Sequence, residues 1–377
     1  MHAAGGLSLA QTVARAAQRG WARVSAVALH KRLSTAAPWL ERLTAHLLER
    51  QRDALAGLSL PGGRVLRIVD ATDILEPGAT GTDWRLHYSL RLPELICDHF
   101  ELTDAQGAEK LARFAFAPGG VVLADRGYCH RAGVAQVLGA QADVVVRLVP
   151  SNFPLLAARA RPFGVLAKCS GLATAGTREW PVWFEQGGRR HPLRLCVLRK
   201  PEAAVQAARQ KLRRKAARKG GELRAETLQA AAYVMILTSL PAREWKTRAV
   251  LELYRCRWQI ELAFKRLKTL LAAGHVPKSR DASARAWMQA KILTALLIEN
   301  LLCERRSFSP CSRRLGGAGA LGCLQRGARH GGRRARRAAE RRAVPDPSRK
   351  HRAQLQEKSA QTPKATDQAA NTGRLLG

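Results

Sequence analysis

Three acidic residues lie at positions in the sequence where a carboxylate could act as a catalytic group. Asp70 comes at the end of the strand-like run RVLRIVD, and Asp125 comes at the end of VVLAD. Each carboxylate would therefore leave a buried strand at the edge of a sheet, held by rigid backbone, which suits a catalytic group. Taken singly, an aspartate at a strand end is more often a turn or cap residue. The third acid, Glu261, lies in LYRCRWQIELAFKRLKTLL at 253–271.

The run around Glu261 has the periodicity of one amphipathic helix. At about 100° per residue, its leucines and Ile260 form an apolar stripe that would seat the helix on a sheet. By itself the neighbouring polar stripe is typical of a solvated helix face with an Arg257–Glu261 ion pair. The polar stripe consists of Tyr254, Arg257, Trp258, Glu261, Lys265 and Lys268.

The net charge of the chain and the types of its acids favour a catalytic role for these acids over a purely structural one. The sequence holds 64 Lys and Arg against 29 Asp and Glu, a net charge of +35, which favours a nucleic acid as partner ahead of an anionic membrane. Two strand-end aspartates and a helical glutamate are what two-metal phosphoryl chemistry needs. Carboxylates without His or Cys clusters favour Mg²⁺, with Mn²⁺ as a substitute, over zinc. The eight cysteines form no CxxC pair, so we expect reduced thiols.

The spacing of four of these residues resembles a known signature. Tyr254, Arg257, Glu261 and Lys268 resemble the Y-R-E-K signature of the insertion-sequence-4 group of bacterial DDE transposases. The segment DAT, which begins at Asp70, is similar to the first aspartate motif of that family, and ADRGY (124–128) is similar to its second. The resemblance covers roughly residues 5 to 303.

The resemblance implies an α/β fold, namely an RNase H-like mixed sheet with a β-rich insertion, preceded by a small helical domain. It implies that Asp70, Asp125 and Glu261 are the catalytic, metal-binding triad. Tyr254, Arg257 and Lys268 would contact DNA near the cleavage site.

Trp258 lies on the same stripe, where its ring could stack on an unpaired base, and Lys265 adds a further positive charge. The implied reactions are cleavage at transposon ends and strand transfer into target DNA, performed by a homodimer on double-stranded DNA.

Changes in composition divide the chain into five parts. We expect residues 1–58 to be a helical segment that is a candidate for DNA binding, with a start that is truncated relative to the family, and residues 64–149 to form the first part of the catalytic core. The β-rich insertion occupies 150–232, and the core resumes over 233–303 with the Y-R-E-K helix. The part 304–377 is a basic tail that we expect to be disordered, because it is Gly-, Ala- and Arg-rich and lacks large apolar residues.

Two helical segments outside the core carry dense positive charge. The N-terminal helices, with Arg15 and Arg19, could form a helix-turn-helix that reads DNA or a plain packing module. The run AARQKLRRKAARKG, with Arg213, Arg214 and Lys215, either binds phosphate or presents a solvated face.

Other functions stay open at this level. The loss of apolar periodicity from about residue 311 suggests a frameshifted end, so one alternative is a truncated or frameshifted transposase remnant that binds DNA without complete transposition activity. Another is an RNase H-fold nuclease unrelated to transposition. A membrane-surface protein is less favoured, because no single amphipathic basic helix dominates. No apolar run approaches the length of a membrane span, so we expect a cytoplasmic, nucleoid-associated protein.

Overall fold

Eight strands form one mixed sheet in the computed structural model, which describes residues 2–54, 63–76, 78, 83–276 and 281–307. The strands are β1 (Val65–Ile74), β2 (Trp84–Leu92), β3 (Ile96–Asp104), β4 (Gly120–Ala124), β5 (Asp143–Arg147), β6 (Thr177–Gln186), β7 (Arg189–Arg199) and β8 (Tyr233–Thr238). Their order across the sheet is β3-β2-β1-β4-β5-β8-β7-β6.

The first three strands form an antiparallel meander, as their short connections predict. β4 and β5 run parallel to β1, and β8 returns antiparallel to β5. The mixed α/β class is therefore confirmed. The strands of the predicted insertion do not form a sheet of their own, because β7 pairs with β8 and β6 pairs with β7, so the insertion extends the same sheet.

Helices surround this sheet. They are α1 (His2–Gly5), α2 (Leu9–Gln18), α3 (Ala26–Ser34), α4 (Ala37–Ala54), α5 (Arg131–Gly139), α6 (Val165–Cys169), α7 (Glu202–Lys219), α8 (Ala225–Ala230), α9 (Thr247–Arg255), α10 (Trp258–Leu270) and α11 (Asp281–Ser307). The sequence predicts a break between two N-terminal helices at Arg19–Gly20, and the chain does turn there. Gly20 adopts a φ of 68°, which favours glycine.

The sheet is buried on both faces, which explains why its central strands read as continuous apolar runs. Along β1, Ile68 points into a first core and Val69 into a second. Residues of α9, α10 and α11 fill the first core, whereas α5 contributes Val134 to the second. Side chains of the same strands pack into both cores, so packing on both faces of the sheet holds the strands in fixed positions.

The N-terminal helices pack against α11. Gln51 on α4 donates a hydrogen bond of 2.6 Å to Asn300, and Gln289 on α11 donates one of 3.2 Å to Glu41. α11 continues to Ser307, so the boundary that we place at residue 303 falls inside this helix. The predicted disorder and frameshift after residue 307 lie outside the described residues. Within the described ranges, none of the helices has the length and apolar character needed to cross a membrane.

The prediction of one continuous helix over 253–271 is wrong. α9 ends at Arg255 and α10 begins at Trp258. Across the junction the backbone changes to i→i−3 hydrogen bonds: the Arg257 amide donates to Tyr254 (3.0 Å), and the Gln259 amide donates to Cys256 (3.0 Å). Such bonds tighten the turn and interrupt the α-helical pattern. Periodicity alone does not report this change, because the dihedral angles of Arg257 stay helical.

Candidate active site

Two aspartates lie side by side where β4 ends. β1 and β4 run parallel with Val69 opposite Ala124, so the next residues, Asp70 and Asp125, occupy neighbouring positions on adjacent strands. Asp125 directly follows β4, as predicted. Asp70 does not end its strand, however, because β1 continues to Ile74. Pairing with β2 holds the backbone on both sides of Asp70, which makes its position more rigid than that of a strand-end residue.

The junction between α9 and α10 brings three more functional side chains to this point. The Tyr254 hydroxyl, at the end of α9, donates to Asp125 Oδ1 at 3.3 Å. Arg257 Nη1 donates to Asp70 Oδ2 at 3.1 Å, and its Nη2 donates to Glu261 Oε1 at 2.6 Å. The structure thus places Asp70 and Asp125 in neighbouring positions, and Arg257 links Asp70 to Glu261.

Burial dominates the electrostatics of Asp70. It raises the pKa of this carboxyl to about 6, although the Ala71 amide and the Arg257 guanidinium favour the ionised form. The neighbouring Asp125 raises the pKa further. Burial, and then the charge of Asp125, also raises the pKa of the Tyr254 hydroxyl, so this group remains a hydrogen-bond donor at neutral pH.

The donor chemistry of this site fits a hard divalent cation. All three candidate ligands are carboxylates, and an added cation would offset the cost of burying Asp70 next to Asp125. The Tyr128 hydroxyl is also buried nearby, without a hydrogen-bond partner. Yet no three acidic, His or Cys side chains among the described residues converge closely enough to hold a metal ion. Glu261 is turned towards Arg257 instead.

The remaining predicted DNA-binding residues lie on two separate surfaces. Trp258 is half-buried at the start of α10, and Lys265 and Lys268 are exposed along it. The basic run forms α7, where Arg213, Arg214 and Lys215 are exposed. α7 packs through Val205 into the second core, whereas α10 packs into the first. The structure therefore does not bring the basic residues of α7 together with those of α10.

Glu109 is an acid of this region that the sequence does not single out. A Cβ added at Gly127, two residues after Asp125, would collide with the Glu109 carboxylate. Burial raises the pKa of Glu109, and the charge of Asp125 raises it further. The only sequence signal for this contact is the glycine in ADRGY, which permits the close approach.

Fold and site together define a class: a mixed α/β sheet that carries two aspartates on adjacent parallel strands and a glutamate on a following helix, a donor set suited to metal-dependent phosphoryl transfer. A profile of the family described as "Transposase DDE domain" matches residues 102–298. The chain belongs to the DDE transposase family, so the transposase interpretation is confirmed and favoured over its alternatives. Members of this family generally depend on divalent metal ions.

The curated relatives are bacterial. The chain is 36% identical over 314 residues to the "Putative transposase InsL for insertion sequence element IS186A" of Escherichia coli strain K12, covering 82% of this chain and 84% of that protein. It is also 36% identical over 315 residues to the "Transposase for insertion sequence element IS421" of Escherichia coli, with the same coverage. A piggyBac transposase synaptic complex with hairpin DNA aligns with a TM-score of 0.36 and 8% identity, over 65% of this chain and 54% of that one.

Proposed function

We propose that this chain catalyses Mg²⁺-dependent cleavage at the ends of an insertion sequence and strand transfer into target DNA. The observation that carries the proposal is that Arg257 bonds Asp70 and Glu261, while Asp125 lies beside Asp70 at the end of the adjacent parallel strand. Family membership supports the same chemistry.

Asp70, Asp125 and Glu261 would hold the metal ions. When bound, a pair of Mg²⁺ ions, for which Mn²⁺ can substitute, supplies an activated oxygen nucleophile and stabilises the leaving oxygen of an in-line displacement. Tyr254 keeps the Asp125 carboxylate oriented through its hydrogen bond. Because β1 extends past Asp70, the first aspartate stays fixed while DNA binds and leaves.

Basic and aromatic residues of α10 would position the reacting DNA. Arg257 and Lys268 bind phosphate oxygens next to the triad, and Lys265 extends the same charged face. Trp258 offers a ring on which an unpaired base can stack. Arg213, Arg214 and Lys215 on α7 bind a separate stretch of duplex. Cleavage at both ends of an element requires two copies of the site, which favours a homodimer on the DNA at the nucleoid.

The test uses the full chain with a duplex that carries the terminal sequence flanking its gene. In the presence of Mg²⁺, we expect nicking of this duplex and joining to a supercoiled target. Asp125→Asn should reduce nicking more than about 100-fold, which is the upper end for the loss of a mere outer-shell partner.

Asp104→Asn is the matched control. Asp104 also ends a strand but accepts a hydrogen bond from Gln106 in the following turn, so its loss should leave nicking unchanged. Nicking that survives Asp125→Asn contradicts the triad. Wild-type nicking without joining favours the nuclease alternative, and DNA binding without either reaction favours the remnant.

A further inference from the structure

A cationic side chain of the protein itself occupies the space between two of the three acids. Arg257 contacts Asp70 at 3.1 Å and Glu261 at 2.6 Å, and both the Arg257 and Asp70 side chains are only 18% exposed. The guanidinium therefore neutralises the buried carboxylate and turns Glu261, which is 60% exposed, towards itself. Tyr254 holds the remaining acid, Asp125, on its other side.

These contacts compete with metal binding. The oxygens that Arg257 contacts on Asp70 and Glu261 are lone-pair donors that a divalent ion would require. A fixed positive charge at hydrogen-bond distance from both ligands also repels a second cation, most strongly in a buried site. Arg257 therefore competes with a divalent ion for this pair of carboxylates, because it takes one oxygen of each and adds a positive charge beside both.

DNA supplies an alternative partner for Arg257. A phosphate offers the planar guanidinium the same two-point, charge-assisted hydrogen bonding as a carboxylate. Arg257 lies at the junction of α9 and α10, where the hydrogen-bond pattern changes, and its partner Glu261 is 60% exposed, so solvent reaches this ion pair.

We propose that Arg257 is a latch: it fills the cation position between Asp70 and Glu261 in the DNA-free protein, and a DNA phosphate draws it away, so that divalent metal binds tightly only on DNA. This inference rests on the proposed function and adds its regulation. The latch prevents the protein from binding divalent metal at the cleavage site before a DNA end has bound. Linkage makes the effect reciprocal, because a bound metal must strengthen DNA binding by the same factor.

The first test measures Mn²⁺ binding to the DNA-free full chain through the electron paramagnetic resonance signal of the free ion. Arg257→Gln removes the latch, so we expect Mn²⁺ affinity to rise about tenfold over wild type, within the usual range of coupling between sites. Arg255→Gln is the matched control. It removes the same charge two positions earlier, where the exposed Arg255 pairs with Glu252 on α9.

Arg255→Gln should change Mn²⁺ affinity less than twofold. Equal or weaker Mn²⁺ binding by Arg257→Gln than by this control overturns the latch. Arg257→Lys keeps the charge but lacks the planar fork through which two nitrogens hold the two carboxylates, so it should bind Mn²⁺ more tightly than wild type and less tightly than Arg257→Gln. If circular dichroism shows that Arg257→Gln does not fold, unchanged Mn²⁺ affinity in Arg257→Lys overturns the proposal instead.

The second test measures the affinity for a labelled end duplex by fluorescence anisotropy, with and without Mn²⁺. Wild type and Arg255→Gln should bind DNA about tenfold more tightly with Mn²⁺, whereas Arg257→Gln should gain less than twofold. Wild type that cleaves DNA but shows no such gain refutes the latch and leaves the proposed function standing. Wild type that neither cleaves nor joins refutes the proposed function, while the Mn²⁺ titrations still decide the latch.

Discussion

Asp70 experiences opposing effects at the scale of a single residue. Burial raises the pKa of its carboxyl from an ordinary value near 3.8 to about 6, although Arg257 and the Ala71 amide both stabilise the ionised form. Desolvation therefore outweighs the ion pair, as it often does for buried charges. An aspartate that costs the fold stability is unexpected unless its charge has a use, and binding a cation is such a use.

Replacing Asp70 by Asn should stabilise the DNA-free, metal-free protein. Between about pH 4 and pH 6 the folded state binds the Asp70 proton more tightly than the unfolded chain, so the free energy of unfolding falls as the pH rises through this window. At pH 7 we expect Asp70→Asn to raise the free energy of unfolding by about 1 to 3 kcal/mol, since one pKa unit corresponds to about 1.4 kcal/mol.

Urea unfolding in the presence of a chelator measures this effect. At pH 5 the gain should be about half as large, because the wild-type carboxyl is then mostly protonated in the folded state. Asp104→Asn, at the exposed end of β3, is the control for the change in the free energy of unfolding. A loss of stability in Asp70→Asn at pH 7 would mean that the Arg257 ion pair outweighs burial.

At the scale of elements, the site depends on α9 and α10, which follow the sheet in the sequence and pack against it beside the two aspartates. The tight junction of α9 and α10 points Tyr254 and Arg257 towards the end of β4. α11 covers the first core and is fixed to the sheet by Glu299, which accepts hydrogen bonds from the Tyr88 hydroxyl (3.1 Å) and the Cys97 amide (2.9 Å). Burial raises the pKa of Glu299, while these two donors lower it.

Loss of the Glu299 contact should loosen α11. Glu299→Ala removes the acceptor of the buried Cys97 amide and of the Tyr88 hydroxyl, so we expect a loss of about 2 to 4 kcal/mol in the free energy of unfolding. Glu299→Gln should cost less than about 1 kcal/mol, because its oxygen can accept from the Cys97 amide while its NH₂ group donates to Tyr88. Chemical denaturation of both variants measures the difference. Equal losses would show that the negative charge, rather than the hydrogen bonds, holds α11.

At the scale of the whole molecule, positive charge is distributed over both sides of the sheet. The lysines of α10 lie on the side of the first core, whereas α7 packs into the second. The chain carries a net charge of +35, so non-specific attraction to DNA is strong wherever the charges lie. Among the described residues, α10 adjoins the three acids and α7 does not, so we expect the charges of α10 to position the reacting phosphate and those of α7 to add affinity.

Neutralising α7 should therefore weaken DNA binding without abolishing cleavage. If Arg213, Arg214 and Lys215 each contact a phosphate, replacing all three by Gln should reduce the slope of log affinity against log salt by about 2 to 3. Nicking at saturating DNA should stay within about twofold of wild type.

Anisotropy titrations at several salt concentrations measure the slope. The control variant removes three exposed charges from another part of the chain, namely Arg159→Gln, Arg161→Gln and Lys168→Gln. Equal slopes for the two triple variants would contradict a specific role of α7 and indicate a diffuse effect of net charge.

The family signature and the strand and helix patterns could be predicted from the sequence because each depends on local residue types. Asp70, Asp125 and Glu261 follow from motif spacing, and the meander follows from short connections between alternating strands. The junction of α9 and α10 could not be predicted, because backbone dihedral angles stay helical while the hydrogen bonds change partner. Glu109 was missed for a similar reason: its contact with Gly127 joins segments that no local pattern relates.

The sequence by itself therefore determined the family and the mixed α/β class, and it singled out the three acids that we propose as the site. Only the tertiary structure decided that the insertion strands extend the same sheet, that Asp70 lies inside its strand, and that Arg257 joins Asp70 to Glu261. The physical reason is sequence separation. Arg257 lies 187 residues from Asp70, so their contact depends on how strands and helices pack around two cores rather than on any local preference.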